Sequence, residues 1–206
     1  MLFKDRSDAG KQLAKAIVKD LTIMKDKDQL VIVSILRGGA LVGFEIAQRL
    51  GVSHRFLAIA KITHPDNEEL AIGAVCNGKY FLDLPHIKKL QLNEQVVQKQ
   101  IKSAVKKQKE YAVKFVKKDV KVQNKTVIIV DDGVATGASM KAAFEYIKRE
   151  HARTIILAVP IAPFDLDSSR FDQAVILHKT HSFHAVSQFY HEFHQVRDQE
   201  ILKARP

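Results

Sequence analysis

The clearest chemistry in this chain sits in one short stretch, Asp131-Asp132-Gly133-Val134-Ala135-Thr136-Gly137-Ala138-Ser139. It follows five β-branched residues, Thr126 to Val130, which read as a buried strand. It precedes a helix expected over 138–149. Backbone amides at a helix N-terminus, with the positive end of its dipole, bind anions. Glycine lets such a backbone approach a phosphate closely, and Thr136 and Ser139 add hydroxyl donors. The two acids would repel a phosphate beside them. They suit a ribose, whose hydroxyls donate to carboxylates. The stretch therefore reads as a site for a ribose 5-phosphate. It is not a Walker loop, because no Gly-Lys-Ser/Thr follows. An ordinary strand–turn–helix could share the spacing, but two acids at a buried strand end are costly unless satisfied.

A second turn has related chemistry. Ser34-Ile35-Leu36-Arg37-Gly38-Gly39 ends a strand expected over 30–35. Its glycines expose amides to an anion, and Arg37 offers a bidentate fork. The order Gly-x-Gly-x-x-Gly of dinucleotide sites is missing. A third candidate, Lys61, ends a strand expected over 56–61. It leads into a polar, turn-rich loop over 62–69, which contains His64, Asp66 and Glu68.

These residues need a frame to position them. A helix is expected over 7–21, with Leu13, Ile17 and Leu21 on one face and Ser7 as its N-cap. Another is expected over 40–50, closed by Gly51. Residues 71–83 read as a hairpin around Asn77-Gly78. A lysine-rich helix over 93–118 carries the apolar stripe Val96, Val97, Ile101, Ala104 and Val105. Further strands are expected over 154–159, stopped by Pro160, and over 174–178. Apolar strands separated by helices argue for an α/β fold with a parallel central sheet covered on both faces. Ligands of such sheets bind at the carboxyl ends of the strands. That rule selects Ser34–Gly39, 61–69 and Asp131–Ser139. One domain is expected over 1–206, with a tail from about 179.

The thirteen residues from Val127 to Ser139 resemble the phosphoribosyl pyrophosphate loop of type I phosphoribosyltransferases. The resemblance implies that Asp131 and Asp132 contact the 2′- and 3′-hydroxyls. It assigns the 5′-phosphate to Gly133, Val134, Ala135, Thr136, Gly137, Ala138 and Ser139. It makes the turn at Arg37, Gly38 and Gly39 the pyrophosphate loop, with a cis peptide at Leu36–Arg37. Lys61 becomes a further pyrophosphate ligand at the foot of a mobile lid. Purine-salvage members carry a third acid where this chain has Ala135, which argues against hypoxanthine or guanine as the acceptor. Similarity to a subset of phosphoribosyltransferases of unassigned substrate runs through Phe3-x-Asp5-Arg6-x-x-Ala9-Gly10, Leu36-Arg37-Gly38-Gly39, the seven residues 69–75, and Gln188 to Val196. The implied fold is that of the type I enzymes, with a β-hairpin flap and a C-terminal hood. The implied reaction is Mg²⁺-dependent phosphoribosyl transfer from phosphoribosyl pyrophosphate to a nucleobase-like nitrogen acceptor, with release of pyrophosphate. Arg37, Lys61, Asp131 and Asp132 would be its catalytic residues. Mg²⁺ is expected to arrive with the substrate, since the sequence shows no dedicated oxygen cage.

Composition narrows the alternatives. With 46% of 206 residues apolar, one substantial core is available. A single cysteine, Cys76, excludes an internal disulfide framework and any multi-cysteine metal site. The longest apolar stretch, Ile155 to Phe164, is ten residues with two prolines, and Met1 to Arg6 lacks an apolar signal core. A cytoplasmic protein away from membranes is expected. Twelve lysines against three acids (Glu94, Glu110, Asp119) lie between Lys88 and Lys125, most of the net charge of +10. They read as a solvated helix face rather than a nucleic-acid surface. Five of nine histidines fall between His178 and His194, but the His-Glu-x-x-His zinc pattern is absent. Phe183, Phe189, Tyr190 and Phe193 suit either a hood over the acceptor or packing on the sheet edge. Two other functions stay open. One is a regulator that binds the same donor without catalysis and touches nucleic acid through the lysine helix. The other is a phosphate-ester hydrolase, for which Thr136 and Ser139 lack a partner base. The acceptor and the oligomeric state, a homo-oligomer included, leave no readable mark.

Overall fold

β-Branched runs become the strands and amphipathic stretches cover them. The computed structural model describes residues 1–25, 27–116 and 120–204. Along the chain come α1 (Arg6–Lys19), α2 (Leu21–Met24), β1 (Leu30–Ile35), α3 (Gly39–Leu50), β2 (Ser53–Leu57), β3 (Ile59–His64), β4 (Asn67–Cys76) and β5 (Lys79–Leu82). Then follow α4 (Leu84–Lys89), α5 (Glu94–Phe115), β6 (Thr126–Val130), α6 (Ala138–Arg149), β7 (Thr154–Pro163), β8 (Gln173–Thr180) and α7 (Asp198–Lys203). Five strands form a sheet in the order β2-β1-β6-β7-β8, every neighbouring pair parallel. The expected α/β class with a parallel central sheet is what the structure shows.

The period of two along each strand sorts the core into two layers. Leu30, Ile32, Ile128, Val130, Ile156 and Ala158 pack with Leu13 and Ile17 of α1 and Val42 and Ile46 of α3. The alternate residues Val31, Val33, Val127, Ile129, Ile155 and Leu157 pack with Met140, Phe144 and Ile147 of α6. Both faces are therefore closed, as a parallel sheet requires.

Three expectations need correction. The strand over 56–61 is two strands, because the chain leaves the main sheet at Ala58. Its carbonyl there accepts a hydrogen bond from the buried Gln108 of α5 at 3.2 Å. The loop over 62–69 is instead the tip of a sheet: β3 and β4 pair antiparallel around Pro65 and Asp66, and β5 adds a third strand. The flap is thus three-stranded, with the Asn77-Gly78 turn where expected, both residues at positive φ. β7 runs through Pro160 to Pro163. The register skips that one rung and resumes at Ile161 opposite His178.

Helix ends differ in smaller ways. α1 is capped by Asp5, which accepts from the Asp8 amide at 2.8 Å. Ser7 does not cap it, and its hydroxyl donates to Glu45. α1 stops at Lys19 because the Asp20 carboxylate accepts from the Thr22 amide at 3.0 Å and starts a new turn. α5 begins after its cap Asn93 and is followed to Phe115; the expected continuation to 118 enters residues outside the described ones. Its stripe Val97, Ile101 and Ala104 covers Ile62, Ile72 and Val75 of the flap. Among the described residues, no helix is long and apolar enough to cross a membrane.

Candidate active site

β6 and β1 are neighbours in the sheet, so the turns that leave their carboxyl ends meet. Gly38 lies directly against Asp132: a Cβ built on it would sit 1.9 Å from Asp132 Oδ2. The Leu36–Arg37 peptide is cis, as the resemblance implies. The two stretches singled out from the sequence therefore form one site, although 94 positions separate Gly38 from Asp132.

The acids are held differently. Asp132 Oδ2 accepts from Arg6 Nε at 2.7 Å, with both side chains largely covered. Asp131 Oδ1 accepts from the Asp132 amide at 2.9 Å. Burial pushes the Asp131 carboxyl well above the usual carboxylate range, and the Asp132 charge adds to the rise. The amide bond and the charge of Lys61 act in the opposite direction. Lys61 is thus within electrostatic reach of the pair, from an exposed position on β3. Burial and the neighbouring charge thus both favour the neutral form of Asp131, while Asp132 has an arginine against it.

After the acids comes a loop with unsatisfied donors. Among the described residues, the amides of Gly133, Ala135, Thr136, Gly137 and Ser139 donate to no protein acceptor. Gly137 stands at φ +75° at the head of α6, a conformation that suits glycine. Ala135 and Thr136 are exposed, Ser139 half-buried, and Ala138 buried with its amide 3.5 Å from Thr136 Oγ1. Val134 is buried, and its amide donates to the Ile161 carbonyl at 3.0 Å. Beside this loop lies a cavity of about 310 Å³, walled by Ala135, Thr136, Lys141, Asp165, Arg170 and Phe171 among others.

The Arg37 guanidinium is engaged by the tail. Nε donates to the Val196 carbonyl at 2.9 Å, and Nη2 donates to the same carbonyl and pairs with Asp198 at 3.0 Å. What the turn presents beside the acids is backbone at Gly38 and Gly39.

Two residues that sequence reasoning did not place in the site belong there. One is Arg6. The other is Tyr190, which the sequence marks only as a ring and whose hydroxyl donates to the Asp132 carbonyl at 2.6 Å. Burial pushes its phenol upward, so it stays a donor. The tail histidines disperse: His194 Nε2 meets Glu200 at 2.9 Å, His181 stacks on Phe164, and His178 lies edge-on to Phe3. Among the described residues, no group of three or more His, Cys, Asp or Glu could hold a metal ion. Of the two carboxyl groups that open the loop, the one on Asp132 is engaged by Arg6.

Comparison with known proteins gives a consistent picture. Residues 4–194 match the family model described as phosphoribosyl transferase domain. A Mycobacterium tuberculosis protein carrying the name "Putative phosphoribosyl transferase Rv0571c" is 32% identical over 210 residues, covering 98% of this chain. That alignment covers 46% of the relative, so the chain spans about half the length of the curated relatives it matches. The crystal structure of TT1426 from Thermus thermophilus superposes with a TM-score of 0.78 at 29% identity, covering 99% of this chain and 97% of that one. AQ2163 from Aquifex aeolicus shares the fold at TM-score 0.51 and 16% identity, over 84% of this chain and 74% of its own.

Proposed function

The chain belongs to the phosphoribosyl transferase domain family, and on that premise we propose that it transfers the phosphoribosyl group of Mg²⁺-bound phosphoribosyl pyrophosphate to a nitrogen acceptor. The observation that carries this reading is the run of undonated amides at Ala135–Gly137 and Ser139, set directly after a carboxyl pair that lies against the Gly38 turn. A phosphate fits the amides and the helix terminus. A diol fits the acids. The Gly38-Gly39 backbone, with Lys61 near Asp131, fits a second anionic group on the far side of the sugar.

The roles follow from where charge develops. The bond from the anomeric carbon to pyrophosphate breaks as the acceptor nitrogen attacks, and positive charge gathers on the ribose ring. Negative charge gathers on the departing pyrophosphate, where backbone amides and Lys61 stabilise it. The carboxyl groups of Asp131 and Asp132 hydrogen-bond the neighbouring 2′- and 3′-hydroxyls and so fix the ribose. Mg²⁺ belongs to the substrate on this reading, since the pair offers too few free carboxylate oxygens to hold it unaided. Arg37 fastens the tail and leaves the anion to the backbone beside it. One domain over 1–206, closed by the tail from about 179, and a cytoplasmic setting agree with this proposal.

The test is to incubate the protein with the donor, Mg²⁺ and a panel of nucleobases and small amines while monitoring pyrophosphate release. Acceptor-dependent release is expected. Donor binding without release from any acceptor would favour the regulator, and absence of donor binding would remove both readings.

A further inference from the structure

The segment Phe3-x-Asp5-Arg6-x-x-Ala9-Gly10 stands apart in the sequence, and the chemistry of the donor loop does not account for it. Four of its five marked positions have structural tasks. Phe3 is buried and bridges to Tyr190, with its amide donating to the Phe189 carbonyl at 3.0 Å and its carbonyl accepting from the His191 amide at 2.9 Å. Asp5 caps α1. Ala9 is buried, and a Cβ on Gly10 would come within 2.7 Å of the Val42 carbonyl of α3.

Arg6 has no such task and points at the site. Only 6% exposed, it donates through Nε to Asp132 Oδ2 at 2.7 Å and through Nη1 to the His194 carbonyl at 2.8 Å. Its guanidinium carbon lies 3.8 Å from the centre of the Phe193 ring. One planar cation therefore joins the start of α1, the acid pair and the returning tail. A guanidinium can reach a carboxylate and a carbonyl in different directions while stacking on a ring; an ammonium cannot do all three. Tyr190 adds a second tie from the same tail to the same acid.

We propose that Arg6 is a positioning residue of the donor site: it fixes the Asp132 carboxylate against the Gly38 turn and fastens the tail at Phe193 and His194 to the same loop, so that the acid and the tail respond to the donor as one unit. This rests on the donor reading above, and the experiment separates the two. Binding of Mg²⁺-phosphoribosyl pyrophosphate is measured by calorimetry for the full chain, Arg6→Gln, Asp132→Asn and the double variant. The single Arg6→Gln change is expected to weaken the donor roughly 10- to 100-fold, the range for hydrogen bonds to charged groups. In the Asp132→Asn background the same change should matter less than about threefold, because coupled residues do not add. Equal losses in both backgrounds would mean a merely structural arginine and overturn the proposal. If the unaltered chain binds no donor, the donor reading falls first and takes this proposal with it; if it binds and Arg6→Gln binds as tightly, only the proposal falls. Should Arg6→Gln not fold, Arg6→Lys, which keeps the charge without the fork, is judged by the same two comparisons. Trypsin cleavage at the exposed Arg197 reports the tail. Donor should slow it in the unaltered chain and not in the Arg6 variant, and equal protection in both would overturn the coupling of the tail.

Discussion

Replacing Gly38 by alanine sets two effects of opposite sign against each other. The residue sits at φ −61°, ψ −41°, which any L-residue adopts. On backbone grounds alone, alanine there stabilises by ~0.4–1 kcal/mol through a less flexible unfolded chain. The space says otherwise. The new methyl group would lie 1.9 Å from Asp132 Oδ2 and 2.4 Å from its Cγ. That carboxylate cannot swing aside freely, because Arg6 holds it at 2.7 Å with side-chain exposures of 7% and 15%. Either the turn shifts, at about 1–3 kcal/mol for overpacking, or the buried ion pair opens, at about 3–5 kcal/mol for an uncompensated charge. By the cheaper route, the shift of the turn, the contact outweighs the entropy gain and leaves a net loss of about 1–2 kcal/mol. For a chain of this size that lowers the thermal midpoint by roughly 2–8 °C. Differential scanning calorimetry gives the midpoint, and donor titration gives the accompanying loss of affinity. An exposed control, Gly78→Ala, stands at φ +74° with open space around it and should destabilise without touching donor binding. A Gly38→Ala protein that melts at or above the unaltered chain and binds donor equally well would refute the reasoning.

Asp131→Asn with Asp132→Asn should abolish measurable donor binding in calorimetry, with the fold persisting by circular dichroism but at a lower melting midpoint, because Arg6 loses its buried partner. Tyr190→Phe should reduce stability by about 0.5–1.5 kcal/mol for the lost bond to the Asp132 carbonyl, read from denaturant midpoints. His54 is buried against the Ser34 hydroxyl at 2.8 Å, and burial lowers its pKa from 6.5 to about 4. The unfolded chain therefore takes the extra proton, so stability should fall by about 3 kcal/mol as pH drops from 6.5 towards 4, and His54→Gln should flatten that slope. Cys76 is buried, with its thiol pushed up to about 12, so a thiol reagent at about pH 8 should label it only at the rate of unfolding.

The parts of the fold legible in the sequence are those with a local cause. β1, β6 and α6 have the expected bounds because a β-branched run ends at a glycine turn and an amphipathic stretch follows it. The break at Ala58 is not legible: the apolar run from Phe56 to Ala60 has no glycine or proline where the chain changes sheets, and the signal is a buried Gln108 fifty positions later. Residues 62–69 read as a loop because the tip of the flap is polar, although its backbone is paired. In the site, the acids and Gly137 stand out by type and order. The partners of Arg6 and Arg37 do not, since they lie 126 and 159 positions away.

That division has a physical basis in the acid pair itself. Two carboxylates at the end of a buried strand repel each other and lose hydration, so they persist only where neighbours reduce the cost. One relief is local: the Asp132 amide donates to Asp131 at 2.9 Å. The other relief is distant and comes from Arg6, which neutralises Asp132 and brings the tail with it. The segment that makes the pair tolerable is therefore the segment that joins it to the hood. A variant that detaches the tail, such as Phe193→Ala, should accordingly loosen Arg6 and weaken the donor without altering any donor-contacting residue. Donor affinity unchanged in Phe193→Ala, alongside a loss in Arg6→Gln, would show that the arginine acts on Asp132 alone and that the ring merely packs.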